Sequence, residues 1–176
     1  VAGFDFKPHP RIPQPRDLYG EDRTNSMGVN LANDAELAAL SAKVNAAIKP
    51  WTATPLVPGA TPTGAKSAAT NPADRRERVG EWQAADSATV EKALQNAVAA
   101  QPEWDRMPAA SRAKILEHAG NLLEARLPEF IALCTKEAGK TLADGVAEVR
   151  EAVDFCRYYA QQARKLFQPE KLPGPT

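Results

Sequence analysis

The sequence predicts a mainly α-helical fold with a short β-hairpin, and three observations carry that prediction. Pro and Gly gather in the first 80 residues, whereas apolar residues cluster after about residue 85 and recur there at helical spacing. Between those regions the turn sequence Asn71-Pro72-Ala73-Asp74 separates two short stretches able to pair as strands.

Residues 1–64 read as an extended, Pro-rich arm with one helix at about 33–49. Pro8, Pro10, Pro13 and Pro15 fix φ and remove backbone donors, so residues 1–20 are expected to run extended. Asn33 or Asp34 begins the helix, Leu37, Leu40, Val44 and Ile48 share one face of it, and Pro50 ends it. From Pro50 to Lys66, the residues Pro55, Pro58, Gly59, Pro62 and Gly64 predict no regular structure. One strand is then expected to start near Ala65, with a second over Arg78–Ala84.

After Asp86 the period becomes helical. Asp86 or Ser87 is placed to cap a helix whose stripe is Val90, Ala93, Leu94, Ala97 and Val98, with Gln101-Pro102 expected to stop it. A second helix starts near Pro108 and aligns Ile115, Leu116, Ala119, Leu122 and Leu123. Pro128 opens a third, carrying Phe130, Ile131 and Cys134, which Gly139 should close. The last carries an apolar seam, Val146, Val149, Val153, Cys156, Ala160 and Ala163. A further stripe of Glu148, Glu151, Phe155 and Tyr158 predicts burial between two layers.

Charge and composition exclude several classes. Lys plus Arg and Asp plus Glu number 22 each, so no polyanion partner is expected, neither nucleic acid nor an anionic membrane. No apolar run reaches the roughly 20 residues that span a bilayer, and Val1-Ala2-Gly3-Phe4-Asp5-Phe6 lacks the features of a signal peptide, so the chain reads as cytoplasmic. The missing initiator Met implies excision from a longer protein. The cysteines form no CxxC pair and the two histidines, His9 and His118, lie far apart, so neither a disulfide framework nor a metal site is expected.

Few residues are candidates for chemistry. Cys134 and Cys156 fall on apolar helical faces with no activating cation in sequence, which assigns them to packing. Glu137-Ala138-Gly139-Lys140-Thr141 fails as a phosphate loop, because Cys134 stands where GxxxxGK(S/T) needs its first Gly. His118 is given a structural or solvated role. Glu151 is the carboxylate retained as a candidate: on a helix expected to be buried, it needs a partner or borders a polar cavity. Arg150, Asp154 and Arg157 read instead as local charge pairs on a solvated face.

From Asn71 to Ala160 the ordered pieces Asn71-Pro72-Ala73, Pro102-Glu103-Trp104, Pro108-Ala109-Ala110-Ser111-Arg112, Leu122-Leu123-Glu124, Glu137-Ala138-Gly139-Lys140 and Arg157-Tyr158-Tyr159-Ala160 resemble the opening of the aldehyde dehydrogenase superfamily. Three more stretches narrow the resemblance to the proline utilization A family. These are His9-Pro10-Arg11-Ile12-Pro13 with Arg16-Asp17-Leu18-Tyr19-Gly20, Asn25-Ser26 with Leu31-Ala32-Asn33, and Ala147 through Phe155.

This resemblance implies a bifunctional parent of α/β aldehyde dehydrogenase fold in its second half. Residues 65–176 would be the helical, incomplete start of that half's NAD-binding domain. A flavin-bearing barrel oxidises proline to pyrroline-5-carboxylate, and an NAD-dependent dehydrogenase carries glutamate semialdehyde to glutamate through a cysteine nucleophile. The implied cofactors are NAD and FAD, both belonging to the parent and neither to this stretch. No catalytic or cofactor-binding residue is carried over, and the chain alone is expected to be inactive, with barrel and catalytic cysteine outside it. Glu151 aligns with a glutamate near the family's aldehyde pocket, and Phe155 supports it. Implied partners are the rest of the parent chain, a homo-oligomer and a small-molecule substrate, in a cytoplasmic parent able to associate peripherally with membrane. Two alternatives are a non-catalytic helical scaffold module and a piece of a monofunctional aldehyde dehydrogenase.

Overall fold

The computed structural model describes residues 9–171, 173 and 174. Among them the chain forms five α-helices and one three-stranded sheet, gathered into two compact units. The prediction of a mainly α-helical fold therefore holds. Pro8 and the rest of residues 1–8 lie outside the described residues.

One unit comprises Val29–Pro108 and Arg126–Ala147. Helix α1 (Asp34–Ala46) starts where expected: the Asn33 side chain accepts from the N–H groups of Ala35 and Glu36 at 3.0 and 3.3 Å. Leu40 and Val44 are buried, and α1 lies against α4 (Leu127–Ala138). The helix ends at Ala46, which leaves Ile48 outside it and exposed.

The hairpin is present as β2 (Lys66–Thr70) antiparallel to β3 (Arg78–Gln83), with Ser67 opposite Trp82 and Ala69 opposite Gly80. Its turn is fixed by Asn71, whose Oδ1 accepts from Ala73 N–H at 2.9 Å while its Nδ2 donates to Glu77 at 2.7 Å.

The stretch from Pro50 to Lys66 is irregular as expected over residues 54–65, but its first residues are not. β1 (Trp51–Ala53) pairs parallel with β3, giving the order β1-β3-β2. A three-residue strand leaves no periodicity to read, and its partner is far along the chain. Gly80 makes the pairing possible, because a Cβ there would collide with the Trp51 carbonyl.

Pro102 does not stop α2, which runs from Ser87 to Arg106. A proline removes one i→i−4 bond, and helix on both sides tolerates that loss here. Asp86 is the N-cap, accepting from Thr89 N–H at 2.8 Å. The expected stripe of α2 is not a buried face: Val90, Leu94 and Val98 are exposed, and Thr89 is its buried residue. Gly139 closes α4 in the left-handed region at φ 66°, as expected. Thr141 and Asp144 then cap α5 (Leu142–Leu166) reciprocally, Asp144 N–H donating to Thr141 Oγ1 and Thr141 N–H to Asp144 Oδ2.

The other unit comprises the described residues up to Gly28, Ala109–Ala125 (helix α3) and the chain from Glu148 onward. Residues 9–20 do not run extended. They form tight turns and a 3-10 helix at Pro15–Asp17, because Pro15 pre-sets φ for that helix and Gly20 takes φ 59°. Asn25 ties the turns together, donating from Nδ2 to Pro15 O at 2.6 Å and from its N–H to Arg16 O at 2.9 Å.

The seam of α5 is correct in this unit: Val149, Val153 and Ala160 are buried, with Cys156 half-buried among them. The expected face of α3 is wrong. Ile115, Leu116 and Leu122 are exposed, whereas Ala113 and Gly120 are buried. A Cβ on Gly120 would lie 3.2 Å from that of Cys156, so small residues set the spacing between α3 and α5.

Candidate substrate-side site on the long helix

Burial of Val149, Val153 and Ala160 fixes the rotation of α5, and at about 3.6 residues per turn Glu151, Phe155 and Tyr158 then face outward. The expected burial of this stripe between layers does not occur: Glu151 is exposed and Phe155 is 50% exposed. Glu151 and Phe155 instead line one open concavity of about 410 Å³ with Arg23, Asp154 and Tyr158. Phe155 packs tilted and Tyr158 edge-on against Tyr159, at ring-centroid distances of 5.9 and 5.2 Å.

The charges beside this concavity are not local pairs on a solvated face. Asp154 accepts from the Ser26 N–H at 2.7 Å and from the Ser26 hydroxyl at 2.8 Å, and Arg150 Nε donates to the same hydroxyl oxygen at 3.2 Å. Ser26 itself is buried. Arg157 is 8% exposed and reaches across to α3, donating to Glu124 at 2.9 Å and to Asn121 at 3.0 Å. These partners are more than thirty residues away, so spacing within α5 could not reveal them.

Glu124 also accepts from the Met27 N–H at 2.6 Å. Burial pushes its carboxyl up, but the bonds from Arg157 and Met27, with the Arg157 and Arg16 charges, outweigh that and hold it below its ordinary value. A second bridge lies further along: Arg164 grips Glu117 at 2.6 and 2.8 Å, and that hydrogen bonding holds Glu117 below the usual carboxylate range. The sequence reading missed Tyr19, Arg23 and Ser26. Their segment stood out only as a resemblance, with no chemistry attached.

Arg23 supplies the cation of the concavity, its guanidinium carbon 4.0 Å from the Tyr19 ring centroid and 5.4 Å from that of Tyr158. With Glu151 opposite in charge and the rings of Phe155 and Tyr158 as walls, the arrangement can bind and orient a small ligand. No cysteine or histidine lines it, so nothing in it can act as a covalent nucleophile of that type. Cys134 and Cys156 are half-buried and form no disulfide among the described residues, and His118 is exposed on α3. Among the described residues no cluster of His, Cys, Asp and Glu could hold a metal ion, and no helix is long and apolar enough to cross a membrane.

The sequence pattern of the aldehyde dehydrogenase family matches residues 60–176. The chain belongs to the aldehyde dehydrogenase family. Within it, this aldehyde dehydrogenase segment is 46% identical over 164 residues to the bifunctional protein PutA of Salmonella typhimurium, a match covering 93% of this chain and 12% of that relative. It is 41% identical over 109 residues to a 1-pyrroline-5-carboxylate dehydrogenase of Anoxybacillus flavithermus, covering 60% of this chain and 21% of the relative. The crystal structure of a bifunctional proline utilization A protein superposes with a TM-score of 0.70 at 39% identity, over 96% of this chain and 14% of that one. The chain thus spans a small part of the length of the relatives it matches, and its aldehyde dehydrogenase-like part is that of a PutA segment.

Proposed function

We propose that this chain is part of a bifunctional enzyme of proline breakdown. The parent oxidises proline to pyrroline-5-carboxylate and then, as an NAD-dependent dehydrogenase, glutamate semialdehyde to glutamate. The observation that carries this reading is the 46% identity to PutA across 93% of the chain, which extends well beyond the family match over residues 60–176.

In this reading residues 1–64 serve as the inter-domain arm and residues 65–176 open the dehydrogenase half. The cofactors NAD and FAD belong to the parent, NAD accepting hydride from the aldehyde carbon and FAD the electrons of proline, and no residue here is assigned to hold either. The parent is cytoplasmic and a homo-oligomer. Residues of this chain bind and orient. Glu151 accepts hydrogen bonds from the ammonium of the semialdehyde, Phe155 lies along its methylene chain, and the Ser26–Asp154 contact keeps the arm against α5 beside them.

The test is to read the coding frame on both sides of this stretch and assay the full-length product. NADH formation from glutamate semialdehyde, together with proline-dependent reduction of an electron acceptor, is the expected result. Absence of both activities from a folded full-length protein overturns the reading.

A further inference from the structure

Arg23 has no carboxylate partner among the described residues, although acidic groups surround it. Its neighbour Asp22 accepts from Gln161 at 3.0 Å and pairs with Lys165 at 3.4 Å. Asp154, which shares the concavity, has both oxygens engaged by Ser26. The guanidinium is held instead by the rings of Tyr19 and Tyr158. An arginine stacked on aromatic faces keeps its N–H edge, lying in the guanidinium plane, free to grip a planar anion at two points.

The concavity therefore presents a guanidinium and a carboxylate, Glu151, neither with an ion-pair partner among the described residues, together with the aromatic rings of Phe155 and Tyr158. A simple anion is repelled by Glu151 and a simple cation by Arg23. A zwitterion satisfies both. The clamp on Ser26 is what makes the position of Arg23 reproducible, because it fixes the backbone three residues further on to α5 itself.

We propose that Arg23 is a specificity-determining residue whose N–H edge takes the α-carboxylate of an amino-acid head group, while Glu151 faces its ammonium and Phe155 its carbon chain. This inference rests on the reading that Glu151 and Phe155 face substrate. It adds the arm as a second source of substrate contacts.

The test uses the full-length protein and calorimetric titration with glutamate, glutarate and 4-aminobutyrate. Glutamate carries the whole head group, glutarate lacks the ammonium, and 4-aminobutyrate lacks the α-carboxylate. Loss of a charge-assisted bidentate contact predicts that Arg23→Met weakens glutamate by about 10- to 100-fold and leaves 4-aminobutyrate within about twofold. Glu151→Gln should weaken glutamate and tighten glutarate, whose carboxylates it no longer repels. Arg23→Lys, which keeps the charge without the planar fork, should fall between Arg23→Met and wild type, and it carries the test if Arg23→Met does not fold. Glutamate affinity unchanged in the Arg23 variants, equal losses for glutamate and 4-aminobutyrate, or no binding of glutamate to the wild type each overturns the proposal. Dehydrogenase turnover is measured separately. If Arg23-dependent glutamate binding is found without turnover of the semialdehyde, the proposed activity fails and the Arg23 assignment stands.

Discussion

Asp154 and Ser26, 128 residues apart, are joined by two hydrogen bonds, one from the Ser26 N–H at 2.7 Å and one from its hydroxyl at 2.8 Å. Through this contact α5 holds the segment around Ser26 by its backbone as well as by a side chain. A backbone donor does not depend on residue type, so the hydroxyl is the part that mutation can remove.

Ser26→Ala should loosen the arm without unfolding α5. The change deprives Asp154 of one donor and Arg150 of its acceptor in a buried place, a loss of about 1–3 kcal/mol. Since about 1.4 kcal/mol corresponds to a factor of ten in an equilibrium, cleavage by trypsin after Arg16 or Arg23 should accelerate by about 5- to 100-fold. Unchanged cleavage kinetics in the variant would mean that the side-chain half of this contact contributes nothing.

Arg157 and Glu124 form the most buried ion pair of the α3–α5 contact, with side chains 9% and 18% exposed. Arg157→Met leaves Glu124 charged, desolvated and short of its main donor, at a cost of about 3–5 kcal/mol measured by urea denaturation. The sign of the pH dependence follows from Glu124. Its pKa is held below the ordinary 4.5, so its contribution is complete above that value and fades as pH falls through the depressed one. The gap between wild type and variant should therefore be widest near neutrality and narrow below about pH 4.5. The double change Arg157→Met with Glu124→Leu should recover most of the loss but not all, because the Met27 N–H then lacks its acceptor.

How much of this was legible follows from the kind of residue at each contact. The seam of α5 could be read because Val149, Val153 and Ala160 repeat at helical spacing and are truly buried. The hairpin could be read because Asn71-Pro72-Ala73-Asp74 is a turn with local chemistry. The face of α3 could not, because what touches α5 is a glycine, an asparagine and two carboxylates, while the large apolar groups Ile115 and Leu122 are exposed. Periodicity finds large apolar stripes and is blind to a seam of that composition. Strand β1 is invisible for a related reason, since three residues pairing in parallel with a distant strand leave no local trace. Of the candidate site, Glu151 and Phe155 could be placed on one face by spacing, whereas Arg23 arrives from a segment more than a hundred residues earlier.

Gly80 is predicted to be intolerant of any side chain. Even Gly80→Ala places a Cβ into the Trp51 carbonyl group, so β1 must leave the sheet or the backbone must shift. Because β2 pairs with the other edge of β3, the hairpin should survive. The expected result is faster amide exchange confined to Trp51–Ala53 and a red-shifted contribution from Trp51, with protection of β2 retained. Exchange unchanged at β1 would place the close approach of these two strands in error.

Asp86 joins the start of α2 to the loop before β2, accepting from Thr89 N–H at 2.8 Å and from both the N–H and hydroxyl of Thr63 at 2.6 Å. These bonds, the Thr63 hydroxyl foremost, hold its carboxyl well below the ordinary 3.8. A depressed pKa means that the stabilisation is fully present above pH 3.8 and disappears only as pH falls through the lower folded value. The wild-type junction should accordingly resist mild acid, and NMR of the Thr63 and Thr89 amides should show no titration between pH 7 and 4. Asp86→Ala should lower the melting temperature at every pH in that range by a similar amount, because the charge it removes is constant there. Asp86→Asn keeps an acceptor for the helix cap but turns a donor toward Thr63, so it should rescue the Thr89 amide shift and not the Thr63 shift. Equal rescue of both amides would mean that Asp86 acts as a helix cap alone and does not tie down the loop.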